Sequence, residues 1–188
     1  MTEKTGSFVV FDTETTGLEP DARVVELAAA WVDVTSETVL EMRRTLVNPQ
    51  MPIPSEATRL HGITDEMVRE KPTMAQVLPQ FLAFLRYGPA VAHYAVFDIQ
   101  RIRFEAERSK VLLPGTIPVF CSIAASRTAF PNERSRSLLN LEKSLGLKRT
   151  GTAHRAASDV SVTALLALRC LNGGTVDWMD LSPVAGML

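Results

Sequence analysis

Two acidic residues, Asp12 and Glu14, stand one position apart at the end of an apolar run that begins at Phe8. Side chains alternate between the two faces of a strand, so positions i and i+2 point in the same direction. Two carboxylates aimed at one place repel each other unless a cation lies between them. Mg²⁺ and Mn²⁺ prefer carboxylate oxygens. The pair therefore predicts half of a divalent-metal site at the edge of a sheet, with a strand ending in two solvated acids as the alternative.

Two further aspartates stand where predicted helices begin. Asp98 follows the short apolar segment Ala90–His93, and Asp159 lies near the start of the last long helical pattern. Acidic residues are common at helix starts because they complement the helix dipole. Taken separately, each aspartate fits an ordinary helix start as well as it fits a metal ligand.

The hydrophobic pattern predicts the elements that would position these residues. Strands are predicted at Ser7–Asp12, Val24–Val34, Val39–Val47, Ala90–His93 and Ile117–Phe120, the first three as an antiparallel meander. Helical patterns are predicted at Ser55–Leu60, from Thr64, from a Thr73 capping box, from Asp98 to about Lys110, and at Ser122–Ala129, Leu138–Leu145 and Arg155–Leu171. Strands that come first and then alternate with helices predict a mixed sheet covered by helices.

Composition places the chain among globular proteins. It has 188 residues, 46% of them apolar and 22% charged, which suits one compact domain with a core. No apolar window is long enough for a membrane span, and the first residues lack the pattern of a signal peptide. Cys121 and Cys170 are expected to be free thiols. We therefore expect a cytoplasmic protein that does not bind membranes.

Charge is unevenly distributed along the chain. Residues 1–92 carry 8 Lys+Arg against 13 Asp+Glu, whereas residues 93–170 carry 12 against 6. Such a basic region could follow a phosphate backbone. Solvated helix faces are the simpler interpretation, and charge alone favours it.

Three segments, taken together, resemble the three motifs of the DEDDh exonucleases. They are Phe11–Leu18 (FDTETTGL), Ala92–Asp98 (AHYAVFD) and His154–Asp159 (HRAASD), and they stand in the order of that group. This group belongs to the RNase H-like superfamily and includes the epsilon proofreading subunit of bacterial DNA polymerase III. The resemblance implies an α/β fold with a five-stranded mixed sheet flanked by helices.

The resemblance also implies a role for each acidic residue. Asp12, Glu14, Asp98 and Asp159 would bind two divalent cations, Mg²⁺ or Mn²⁺, which can stabilise charge on the attacking and leaving oxygens. His154 would be the general base, and Glu14 counts with it among the catalytic residues. A sibling group has Tyr four residues before the last Asp, where this chain has Arg155. The histidine branch is therefore the better match.

Other residues are assigned to the substrate by the same resemblance. Thr15 and the turn that ends at Gly17 would approach the terminal 3′-hydroxyl, Gly17 permitting a tight turn. His61, in a Leu-His-Gly-Ile-Thr loop, and Phe97 would contact the terminal nucleotide, with core packing as the alternative for Phe97. The group usually has Asn where this chain has Tyr94, which bears on nucleotide preference more than on hydrolysis.

The predicted function is a metal-dependent 3′→5′ exonuclease that releases nucleoside 5′-monophosphates from single-stranded or frayed 3′ ends, with DNA favoured. An RNA-trimming exoribonuclease and a non-catalytic nucleic-acid-binding module are the alternatives. We expect an exonuclease domain over residues 1–174 and a C-terminal tail over residues 175–188. The tail holds Trp178, Met179 and Leu181, and could contact a polymerase, a second copy of the chain or its own domain.

Overall fold

The computed structural model describes residues 6–115, 117–172, 182–184 and 188. The strands are β1 (Ser7–Thr15), β2 (Val24–Asp33), β3 (Thr38–Leu46), β4 (Ala90–Ala92) and β5 (Val119–Cys121). The helices are α1 (Ser55–His61), α2 (Asp65–Val68), α3 (Met74–Leu85), α4 (Ala95–Ser109), α5 (Ser122–Ala129), α6 (Leu138–Leu145) and α7 (Ala156–Asn172).

The strands form one mixed sheet in the order β3-β2-β1-β4-β5. β1 pairs with β2, and β2 with β3, in the antiparallel direction, as a meander requires. β4 lies parallel to β1, and β5 parallel to β4. The end of β1 therefore lies at the carboxyl edge of the parallel strands, where open α/β sheets bind their ligands.

Alternation along β1 divides the core into two layers. Phe8 and Val10 pack with α7, whereas Val9 and Phe11 pack with α3 and α4. All four side chains are fully buried. Because this alternation continues to the end of the strand, even-numbered positions of β1 are expected to face α7 and odd-numbered positions α4.

Of the two helices α3 and α4, only α4 differs from the sequence prediction near its N-terminus. α4 begins at Ala95, three residues before Asp98, because Tyr94 takes a left-handed conformation (φ 62°) and turns the chain directly from β4 into the helix. α3 begins at Met74 behind the predicted Thr73–Gln76 capping box and continues through Pro79. Pro79 does not delay the start of α3, although a proline removes a hydrogen bond from the interior of a helix.

The described residues of the C-terminal tail lie against the outer edge of the sheet. Val184 donates its N–H to the Val119 carbonyl at 2.8 Å, and Leu188 exchanges hydrogen bonds with Ile117. Leu188 is fully buried. These contacts agree with packing of the tail on its own domain, although Trp178, Met179 and Leu181 lie outside the described residues. Among the described helices, none is long and apolar enough to cross a membrane.

Candidate active site

Three of the four predicted metal ligands meet at the end of β1. Asp12, Glu14 and Asp159 each present a carboxylate oxygen, and these oxygens lie within 4.8 Å of one another. Asp12 and Glu14 have the same parity as Phe8 and Val10, so both face α7, whose first turn carries Asp159. The strand alternation thus brings residues from positions 12 and 159 to one place.

The pKa values of the strand carboxyl groups show how unfavourable this crowding is. Burial, followed by the charges of Asp98, Glu14 and Asp159, raises the pKa of Asp12 well above its ordinary value. Burial and the neighbouring acidic residues raise the pKa of Glu14 to about 8. Neither side-chain carboxylate has a hydrogen-bond or ion-pair partner among the described residues. A cation would relieve both the repulsion and the loss of hydration.

Asp98 reaches the same strand from the other layer. Its Oδ1 accepts a hydrogen bond from the Thr13 hydroxyl at 2.7 Å and from the Thr13 N–H at 3.1 Å. Burial raises the pKa of Asp98 to about 7, although the Thr13 hydrogen bonds act in the opposite direction. The structure therefore places Asp98 against β1 beside Asp12 but outside the group formed by the other three carboxylates.

The segment before α7 holds His154 between two anchors. His154 adopts a left-handed backbone (φ 57°), and its N–H donates to Asp159 Oδ2 at 3.0 Å. On the other side, Glu26 Oε2 accepts from the Ala156 N–H at 2.9 Å, and the Glu26 carboxylate receives Arg155 Nε and Nη2 at 3.0 and 2.8 Å. Strained backbone of this kind persists where the surroundings fix it. The start of α7 and the position of His154 are thus fixed from β2.

His61 braces the segment after the acidic pair. Its Nδ1 lies 3.0 Å from the Ile63 N–H and must accept that hydrogen bond, so in the neutral ring the proton sits on Nε2. Nε2 lies 3.3 Å from the carbonyl oxygen of Thr15. His61 is 4% exposed, and burial lowers its pKa. Its observed contacts are internal, and its predicted contact with substrate stays a prediction.

One face of α4 holds the loop between β1 and β2. Arg101 Nη1 donates to the Glu19 carbonyl at 2.6 Å, and Glu105 accepts both Arg23 and the Val24 N–H. Phe97, on the same helix, is partly buried with its ring 5.2 Å from the Arg101 guanidinium carbon. Thr15 donates its hydroxyl to the Gly17 carbonyl at 2.7 Å. The substrate roles of Phe97 and Thr15 remain predictions.

The prediction that Gly17 is needed to permit a tight turn is wrong. Its φ lies outside the left-handed region, and a Cβ built on it would meet no atom within 4 Å. The turn after the acidic pair therefore does not require glycine for its backbone conformation or for space.

Several arginines of the basic region are neither free for phosphate nor simply solvated. Arg136 donates to the carbonyls of Ser126 and Phe130 at 2.8 and 2.9 Å. Arg101, Arg149 and Arg155 are likewise bound to the protein's own carbonyl or carboxylate groups. These guanidinium groups stabilise loops around the site. A count of charges along the sequence cannot distinguish such internally bound arginines from solvent-exposed ones.

Sequence reasoning missed two residues that contact the site, Glu26 and Arg149. Glu26 is 3% exposed and pairs with Glu14 across β1 and β2. Its signal was visible, because an acidic residue inside the apolar run from Val24 to Ala30 needs a partner when it is buried. Arg149 lies in the loop between α6 and α7, and its side chain donates directly to Asp159. No local sequence pattern indicates that contact.

The chemistry of the site fits hard divalent cations. The donor set consists of carboxylate oxygens, the kind that Mg²⁺ and Mn²⁺ prefer. Asp12 and Glu14 have raised pKa values and no partner among the described residues. A bound cation would neutralise the negative charge that these two groups carry when ionised. Asp12, Glu14 and Asp159 are therefore suited to hold a metal, with Asp98 adjacent to them.

Comparison with known proteins shows the family of this chain. The family model described as Exonuclease matches residues 9–167. The DNA polymerase III subunit epsilon of Aquifex aeolicus is 34% identical over 169 residues, which cover 88% of this chain and 81% of that protein. The chain belongs to the exonuclease family. The matched segment contains all four acidic residues and His154.

Other relatives are much longer than this chain. A DNA polymerase III PolC-type from Caldanaerobacter subterraneus is 34% identical over 167 residues, which cover 88% of this chain and only 12% of that protein. The chain likewise covers 24% of a DNA polymerase III subunit epsilon-like protein from Rhodobacter capsulatus. The shared part is thus an exonuclease domain that occurs within larger proteins.

Solved structures show the same fold. Exonuclease X in complex with 5′-overhanging duplex DNA is 28% identical, covers 93% of this chain and 97% of that chain, and has a TM-score of 0.74. The nuclease domain of 3′hExo, a DEDDh family member bound to rAMP, has a TM-score of 0.84 over 100% of both chains; at 17% identity it supports the fold alone. The DEDDh resemblance and the RNase H-like five-stranded fold are confirmed.

Proposed function

We propose that the chain is a metal-dependent 3′→5′ exonuclease that releases nucleoside 5′-monophosphates from single-stranded or frayed 3′ ends, with DNA as the favoured substrate. The observation that carries the proposal is the meeting of Asp12, Glu14 and Asp159 within 4.8 Å, at the end of the central strand of an exonuclease-family fold. A carboxylate cluster with a purely structural role would be expected to be paired with arginine or lysine side chains. Here the two strand carboxylates have no partner among the described residues.

Each residue at the site has a proposed role. Asp12, Glu14, Asp98 and Asp159 hold two divalent cations, which when bound stabilise negative charge on the attacking and leaving oxygens. His154 accepts the proton of the attacking water. Its position at the start of α7, fixed through Asp159 and Glu26, would keep the imidazole beside the acidic residues.

The substrate end is proposed to lie along the segment after Glu14. Thr15 and Phe97 contact the terminal nucleotide. His61 holds Thr15 in place through the contact of its Nε2 with the Thr15 carbonyl oxygen. The preference for DNA is supported by Exonuclease X, which is 28% identical and was solved with a DNA duplex. The epsilon and PolC-type relatives suggest that a polymerase is a partner.

One assay tests this function. Labelled DNA and RNA strands of matched sequence are incubated with the protein and Mg²⁺, Mn²⁺ or EDTA, and products are resolved by length. We expect a ladder that shortens from the 3′ end with DNA, release of nucleoside 5′-monophosphates, and no reaction in EDTA. Faster shortening of RNA than of DNA would replace the proposed substrate with the RNA alternative.

A circular single strand of the same DNA is the control for end recognition. The proposal requires a free 3′-hydroxyl, so the circle should stay intact while the linear strand is degraded. Cutting of the circle at a rate comparable to that of the linear strand would indicate an endonuclease and would contradict the proposal.

A further inference from the structure

Arg149 binds two carboxylates: Asp159, which belongs to the acidic cluster, and Glu142, which lies outside it. It lies between α6 and α7, and its Nη1 donates to Asp159 Oδ1 and to Ser158 Oγ. Its Nε and Nη2 donate to Glu142 Oε2 at 2.9 and 2.8 Å. The Arg149 side chain is only 9% exposed. A fixed cation is therefore built into the site on the α7 side.

This cation and a divalent metal would compete for Asp159. A carboxylate oxygen bound to a guanidinium has less charge to offer a metal, and two cations a few ångströms apart repel each other strongly in a partly buried site. Leaving Asp159 unpaired would be costly as well. Arg149 thus suits the site when no metal is bound and opposes metal binding at Asp159.

Glu142 offers the guanidinium a second partner. It belongs to α6 and lies outside the group of Asp12, Glu14 and Asp159. Because Arg149 contacts both Glu142 and Asp159, loss of one carboxylate leaves the cation bound to the other alone. The strength of the Glu142 pair should therefore decide how readily Arg149 gives up Asp159.

We propose that Arg149 is a positioning residue that acts as the counter-ion of Asp159 in the metal-free protein, and that Arg149 and Glu142 together set the metal affinity of the site. This inference rests on the proposed function, because it takes Asp159 to be a metal ligand. It predicts effects of opposite sign for the two partners. A simple loop brace would instead weaken the site whichever partner is removed.

Calorimetric titration of the nucleic-acid-free protein with Mn²⁺ tests the proposal. Arg149→Gln should bind Mn²⁺ about tenfold more tightly than the wild type, because the competing charge is gone. Glu142→Gln should bind roughly threefold more weakly, because Arg149 then pairs with Asp159 alone. Lys148→Gln removes a neighbouring exposed cation and should change little. Melting curves in EDTA establish that each variant is folded.

Weaker Mn²⁺ binding by both Arg149→Gln and Glu142→Gln would overturn the proposal in favour of a brace. If Arg149→Gln does not fold, Glu142→Gln still tests the proposal, because unchanged or tighter Mn²⁺ binding by that variant contradicts it. Asp159→Asn separates this inference from the function beneath it. Mn²⁺ binding by Asp159→Asn that equals wild-type binding would remove Asp159 as a ligand and overturn this inference, whereas the exonuclease function is tested separately by degradation of the labelled strands.

Discussion

Two sets of buried or half-buried carboxylates in this protein have opposite environments. Glu26 and Glu105 are 3% and 1% exposed, and each binds an arginine through two nitrogens and a backbone N–H as well. Glu14 lies directly opposite Glu26 in the β1–β2 pairing and Asp12 lies two positions earlier in β1, yet neither carboxylate has a partner in the part of the chain that the structure describes. The pKa values of both Asp12 and Glu14 are raised by burial and by neighbouring acidic groups.

The difference separates structural acids from functional ones. A buried carboxylate that stabilises the fold carries its own counter-charge, because an unpaired buried charge is costly. A carboxylate that binds a removable cation either remains without such a partner, as Asp12 and Glu14 do, or has to exchange its partner for the cation, as we propose for Asp159. Burial alone therefore does not distinguish the two sets, whereas partners do.

The largest expected effect follows from removing one unpaired carboxylate. Asp12→Asn should reduce exonuclease activity on the order of 10⁴-fold, because several kcal/mol of transition-state stabilisation depend on the cation site. Its free energy of unfolding in EDTA should not fall, since repulsion in the cluster is relieved. Activity on a labelled DNA strand and urea unfolding measure the two quantities. Asp21→Asn, on an exposed loop residue, is the control, and a folded Asp12→Asn protein with near wild-type rates would refute the assignment.

His154 tests whether the site needs a protein base. His154→Ala should lose about 10²–10⁴-fold in rate, the usual contribution of general base catalysis. The wild-type rate should fall towards acidic pH, because a protonated imidazole cannot accept a proton. Rates measured across pH at saturating Mg²⁺ compare the two proteins. An acidic limb that is the same in both would exclude His154 from the mechanism.

Glu26→Gln is the matched change in the paired set. It should cost about 1–3 kcal/mol of unfolding free energy, because the half-buried Arg155 loses its counter-charge and the Ala156 N–H loses a charged acceptor. Activity should also fall, since Ala156 and the start of α7 lose their anchor. Urea unfolding checks the stability. Glu37→Gln, on an exposed turn, serves as the control, and an unchanged unfolding free energy would contradict the structural role of Glu26.

The pH dependence of stability should differ with and without metal. The pKa of Glu14 is raised to about 8 and that of Asp98 to about 7, so the folded metal-free protein binds more protons than the unfolded chain. The contribution of these two groups to stability should therefore be largest below about pH 4 and decrease as pH rises from about 4 to about 8. Melting temperatures in EDTA should show this decrease, and Mg²⁺ should reduce it. A rise in the EDTA melting temperature across this range would contradict the cluster's electrostatics.

The smallest effect concerns Tyr94, which is 60% exposed in a left-handed conformation. Tyr94→Asn should stabilise the protein by about 0.5–1 kcal/mol, because asparagine adopts this conformation at lower cost. Tyr94→Phe keeps the strain and should change little. Urea unfolding compares the three proteins. A destabilised Tyr94→Asn variant would indicate that the tyrosine ring makes contacts that outweigh its strain.

Local patterns were sufficient for much of this molecule. The antiparallel meander of the first three strands and the bounds of α5 and α6 were predicted from the sequence. Three of the four acidic residues predicted as ligands lie together. The start of α4 was missed because the left-handed Tyr94 has no signal in helix propensity. The extension of β1 to Thr15 depends on pairing with β2, and a short strand prediction does not contain that pairing.

The remaining misses are contacts between residues far apart in the chain. Glu26 and Arg155 are 129 positions apart, and their pairing requires the completed fold. The same holds for the arginines that bind loop carbonyls, which look like surface charges in the sequence. Residue type predicted the chemistry of the cluster, but only the packing of α7 on the sheet shows which charges are neutralised.

The histidine side chains around the candidate active site can serve as probes in ¹⁵N NMR. The chain has three histidines, and the partners of two of them place the proton on Nε2 in the neutral ring: His61 accepts from a backbone N–H at Nδ1, and His93 faces the Arg136 carbonyl at Nε2. Burial lowers the pKa of both. Their imidazole resonances therefore provide two fixed references, against which the signal of His154 can be followed as cations or nucleotides are added.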